Sequence, residues 1–105
     1  MDFPYAIIMT TYAGQTPEAV ETTVSKPLEQ SMAKIDGVKQ IVSSSAENYS
    51  LLMIEFEDGT NMDTATVDMN STLSTITDIW PEGVGTPYLI KINPNILPVA
   101  MVAVD

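Results

Sequence analysis

Four carboxylates, Glu55, Glu57, Asp58 and Asp63, fall within nine residues, a density at which paired acids could hold a hard cation or share a proton in hydrolysis. A calcium loop needs Asp-x-Asp-x-Asp-Gly and a Glu at its twelfth position, and neither is present, so the cluster reads as a solvated strand end and turn. Seven methionines could suggest a soft-metal site, but Met9, Met32, Met53 and Met69 occupy apolar periodic positions, where methionine fills gaps in a core. The absence of Cys and His removes disulfides, zinc sites, thiol nucleophiles and histidine bases. Asn48-Tyr49-Ser50 fits the glycosylation triplet, but as a short pattern at a hairpin it reads rather as a turn. There is no Gly-rich phosphate loop and no nucleophile–base pair. The residues therefore point to a noncatalytic chain with no cofactor and no metal.

Charge narrows the partners. Four lysines stand against 14 acidic residues, a net charge of −10, and such a field attracts neither nucleic acid nor an anionic membrane surface. No apolar run approaches the ~18 residues of a membrane span, and no basic-then-apolar signal opens the chain. With 105 residues, 45% of them apolar, the chain can bury one core and not two.

The elements that must position any site come as two similar halves. Tyr5 to Tyr12 is β-rich. Thr16 offers an N-cap and Pro17 the first helical position, after which Val20, Val24, Leu28, Met32 and Ile35 form an apolar stripe, with a kink expected at Pro27 and an end at Gly37. A second strand is expected over Val38 to Ser45. Then Ser50 to Phe56 reads as a strand, Asp58-Gly59 as a turn, Met62 to Ile79 as a helix stopped by Pro81-Glu82-Gly83, and Pro87 to Ile92 as a last strand. Two βαβ units in series predict an α+β fold, a ferredoxin-like split βαβ (βαββαβ) two-layer sandwich. Leu97 to Val104 is a further extended apolar segment that this topology does not use. The expected division is a domain over residues 1–96, with 97–105 opening something else.

Two faces stand out. On the second helix Met62, Ala65, Met69, Leu73, Ile76 and Trp80 make the buried stripe, while Asp63, Val67, Ser71, Ser74 and Asp78 lie opposite on a face that is short, polar and mostly uncharged. In the third strand Leu52, Ile54 and Phe56 point one way and Leu51, Met53 and Glu55 the other. A two-layer sandwich covers one sheet face only. Leu51 and Met53 are therefore expected on the open face, with Met9 and Leu89 extending the patch.

These residues resemble a known family. YAGQTPEAVETTVSKPLEQSM, then IDGVKQIVSSS, MIEFEDGTNMD and WPEGVGTPYLIKINPNILPVAMV, are similar to the first porter subdomain of resistance-nodulation-cell division (RND) efflux transporters, more narrowly the hydrophobe/amphiphile multidrug exporters. Ala13 departs from the Pro that this family places in Y-P-G. The resemblance implies an extracytoplasmic segment of a homotrimeric, proton-driven exporter in the cell membrane, packed among sister porter subdomains. It also implies that the second helix lines a central pore through Asn61, Asp63, Val67, Ser71, Ser74 and Asp78. The open sheet face corresponds to the wall of a substrate cleft, through Met9, Leu51, Met53, Leu89 and Lys91, taking amphiphilic small molecules. The proton relay of such pumps lies in membrane helices that this segment lacks. The segment by itself is expected to be soluble and monomeric. The alternative reading is an independent ferredoxin-like ligand-sensing or oligomerisation module, which would have no leftover strand.

Overall fold

The computed structural model describes residues 4–92. Four strands, β1 (Tyr5–Thr11), β2 (Val38–Ala46), β3 (Tyr49–Phe56) and β4 (Tyr88–Ile92), form one antiparallel sheet in the order β2-β3-β1-β4. That order, with one helical connection between β1 and β2 and another between β3 and β4, is the ferredoxin-like split βαβ arrangement expected from the sequence. Leu97–Val104 and the proposed division after residue 96 lie outside the described residues.

The first connection departs from a simple kinked helix. It is built of α1 (Pro17–Val20), a π-helical turn over Glu21–Ser25 and α2 (Lys26–Met32). Thr16 caps α1, its Oγ1 accepting from Ala19 N at 3.1 Å. The π turn ends two residues before Pro27, whose ring would collide with the carbonyl four residues back in a regular helix. Lys26 N instead donates to Glu21 O, five residues back. The turn also explains why the apolar stripe recurs every fourth residue. Val20 and Met32 are twelve residues apart, which at about 100° per residue would leave them roughly 120° out of line in an α-helix. One extra residue absorbed by a π turn reduces that to about 20°. Val20, Val24, Leu28 and Met32 are accordingly all fully buried.

The second connection, α3 (Met62–Thr77), is a regular helix. Asn61 caps it, Oδ1 accepting from Asp63 N at 3.0 Å and Thr64 N at 3.1 Å. Ala65, Met69, Leu73 and Ile76 face inward, with Met62 and Trp80 packed half-buried at its ends. They meet Ala6 and Ile8 of β1 and Leu52, Ile54 and Phe56 of β3 in one core.

Polar contacts fix how the layers sit. Ser25 Oγ lies 2.8 Å from Ser45 Oγ and 2.7 Å from Ser50 Oγ, joining the π turn to β2 and β3. The β2–β3 hairpin turns on Glu47-Asn48, where Asn48 adopts φ 77°, and Asn48 Oδ1 accepts from Gly14 N at 2.7 Å. The Asn-Tyr-Ser triplet is thus a hairpin corner, with Ser50 fully buried.

Candidate functional site

Alternation along the strands leaves one sheet face that no helix among the described residues covers. Cross-strand register places Met9 opposite Leu51 and Ile7 opposite Met53, and β2 adds Ser44 beside Leu51 and Val42 beside Met53. Leu51 is 38% exposed and its sequence neighbour Leu52 is fully buried, so one step along β3 separates the open face from the core. Met9 is 39% exposed, and Val42 and Tyr49 are exposed as well. Met9, Leu51 and Met53 thus share one apolar surface.

Leu89 and Lys91 do not join it, contrary to the sequence expectation. They pair with Ile8 and Ala6, which puts them on the helix side of the sheet. Leu89 packs half-buried against the core, and Lys91 Nζ reaches Asp63 Oδ1 at 3.7 Å, a solvent-exposed and therefore weak pair. The cause is one residue of slip. Tyr12 is bridged to Val84, and continuing that ladder would bring Met9 opposite Pro87, yet Met9 stands opposite Tyr88. The additional residue lies at Gly85–Pro87, where Gly85 N donates to Thr11 O at 2.7 Å. A Cβ on Gly85 would overlap Thr11 Oγ1, so the chain can pass there only without a side chain. A slip of one exchanges the two faces of β4. Tyr88 and Ile90 therefore occupy the open face, 67% and 43% exposed. Both were missed by sequence reasoning, as were Ile7 and Val42; for Ile7, simple alternation from Met9 was an available signal.

The second candidate surface is the outward side of α3. Asn61, Asp63, Val67, Ser71, Ser74 and Asp78 are all exposed, with Val67 at 63%. Asn61 has a local task as the helix cap in addition to any role at a pore. Beside this face, between α2 and α3, runs an open groove of about 440 Å³ lined by Ser31, Lys34, Ile35, Asp68, Ser71 and Thr75 among others. Among the described residues no three acidic side chains converge as a metal site, and no helix is long and apolar enough to cross a membrane.

A model of the AcrB/AcrD/AcrF family matches residues 1–105, the entire chain. The chain belongs to that family. It is the resistance-nodulation-cell division group to which the motifs pointed. Among AcrB/AcrD/AcrF relatives, the chain is 34% identical over its full length to the swarming motility protein SwrC of Bacillus subtilis. It is 28% identical over 94% of its length to the multidrug resistance protein MdtC of Photorhabdus laumondii and, equally, to that of Escherichia coli. In each case the chain spans about 10% of the relative's length.

Proposed function

We propose that this segment is the first extracytoplasmic porter subdomain of an RND-type, proton-driven exporter of amphiphilic compounds. The full-length protein resides in the cell membrane as a homotrimer. The segment performs no catalysis; it supplies surfaces. The open sheet face forms part of the substrate cleft, through Met9, Leu51 and Met53 together with Ile7, Tyr88 and Ile90. The polar face of α3 lines the central pore through Asp63, Val67, Ser71, Ser74 and Asp78.

The observation that carries this reading is the continuous apolar surface across all four strands on a sheet side that no helix among the described residues covers. An exposed apolar face of that extent is costly in water unless a ligand or another domain meets it. The multidrug resistance named for MdtC makes an amphiphilic ligand the favoured occupant. Leu89 and Lys91 drop out of the cleft because their register turns them toward the helices.

The test is made in the full-length transporter. Replacing Leu51 and Met53 together by Asp is expected to abolish resistance to amphiphiles while the protein reaches the membrane at its normal level. Undiminished export by that variant would remove the open face from the transport path.

A further inference from the structure

Met9 stands at the centre of the apolar patch. In the row that crosses the open face it lies between Leu51 on β3 and Tyr88 on β4, and the next row puts Ile7 between Met53 and Ile90. Directly opposed residues of antiparallel strands hold their Cβ atoms about 4.5–5.5 Å apart, and diagonal neighbours about 7–8 Å, within reach of a long side chain. Met9 therefore has apolar or aromatic neighbours on both flanking strands and at Ile7 along its own.

Exposure sets it apart from the other described methionines. Met32 and Met69 are fully buried in the core and Met53 and Met62 are half-buried, whereas Met9 is exposed. The residue type is also unexpected in an interior strand of the sheet, where β-branched side chains are favoured. An unbranched, polarizable thioether suits a surface that must accommodate occupants of different shape. Its sulfur is also open to attack by mild oxidants, which aliphatic side chains are not.

We infer that Met9 is a site of modification by peroxide, and that its sulfoxide turns the centre of the open face from apolar to polar and so lowers export of amphiphiles. A lone pair on the Met9 sulfur attacks one oxygen of hydrogen peroxide. The S–O bond forms as the O–O bond breaks, sulfur gives up two electrons, and the leaving hydroxide takes the proton of the transferred oxygen and departs as water. The product holds a polar S–O group among Leu51, Tyr88 and Ile7, and an apolar cargo seated there must strip water from it. Methionine sulfoxide reductases reverse the change, as a switch requires. The inference rests on the reading of the open face as a substrate surface and adds a regulatory modification to it.

The test uses hydrogen peroxide as the oxidant and the uncharged lipophilic dye Nile red as the cargo, in cells carrying the full-length transporter. Membranes of treated cells are digested and the sulfoxide at each methionine is quantified by mass spectrometry. Met9 is expected to oxidise at least about tenfold faster than Met32 or Met69. Dye efflux by treated cells is then compared with that by untreated cells of the same variant. The parent should lose about three- to tenfold in efflux rate, and Met9→Leu should lose far less, because leucine has no sulfur to oxidise. Met9→Gln, which puts a polar amide near the place of the sulfoxide, should lower efflux by a similar factor without peroxide, at an unchanged membrane level. Oxidation of Met9 no faster than of Met32, equal peroxide losses in parent and Met9→Leu, or full efflux by Met9→Gln each overturns the switch, even if the Leu51/Met53 double variant has abolished transport. Loss of the open-face reading shows differently: the double variant then exports normally, and the inference falls with it.

Discussion

Ser25 Oγ lies 2.7 Å from Ser50 Oγ, a side-chain hydrogen bond between the π turn and the start of β3 with both residues fully buried. The same hydroxyl lies 2.8 Å from Ser45 Oγ, so one side chain ties the helix layer to two strands. A group in that position is costly to delete because its partners stay behind.

Ser25→Ala is therefore expected to destabilise the domain by about 1–3 kcal/mol, the cost of a buried hydroxyl left without its bond. Thr10, opposite Ser50 on β1, provides the contrast: its Oγ1 is buried with no hydrogen-bond partner among the described residues. Thr10→Val, which keeps the shape and removes the unpaired oxygen, should be neutral or stabilising. Denaturant unfolding of the two variants distinguishes them; a loss at Thr10 as large as that at Ser25 would show that the hydroxyl at Thr10 is bonded in solution.

Sheet polarity gives a second comparison. Ile54→Asp puts a carboxylate into the fully buried core against the helices and should cost more than about 3 kcal/mol, enough to unfold the chain. Leu51→Asp, on the open face, should change stability by no more than about 0.5–1 kcal/mol. Circular dichroism melts decide it, and the reverse order would mean that the two faces are exchanged.

The cap of α3 is a third. Asn61→Ala should lower stability by about 1 kcal/mol, and Asn61→Asp should retain it, because a carboxylate accepts the same two N–H bonds and favours the positive end of the helix. For a domain of this size about 1 kcal/mol corresponds to a fall in Tm of roughly 4–8 °C. If Asn61→Asp falls as far as Asn61→Ala, the cap is not what Asn61 contributes.

The pore reading of α3 is checked in the full-length transporter. Val67→Cys, on the exposed face, should form crosslinks between subunits with a short bifunctional thiol reagent, whereas Met69→Cys, fully buried, should not. Equal crosslinking at both positions would mean that a different side of α3 meets its neighbours.

Most of the fold was legible because periodicity and punctuation agree in this chain. The succession of strands and helices, the Asp58-Gly59 turn and the inward stripe of α3 follow from spacing alone. Two features were not legible, each for a geometric reason. The π turn looked like a simple proline kink, although the apolar repeat of four already exceeded an α-helical period. The faces of β4 could not be read from YLIKI, since apolar residues occupy both sets of alternate positions. Its register depends on how tightly Gly85 passes Thr11, a contact between distant parts of the chain that no local pattern encodes. That is why Met9, Leu51 and Met53 were placed on the open face from sequence while Leu89 and Lys91 were misplaced by a single residue.

The π turn has a consequence for chain length. The segment from Pro17 to Met32 holds one residue more than an α-helix needs to present Val20 and Met32 on the same side. Shortening it by one at exposed Thr22 would thus restore an ordinary helical period and keep both ends of the apolar stripe against the sheet, at the cost of setting the Pro27 ring against the carbonyl four residues before it. The same deletion in α3, which has no residue to spare, would turn half of its stripe by about 100° into solvent. Of the two helical connections, only the first holds a residue whose loss would leave the ends of its apolar stripe in line.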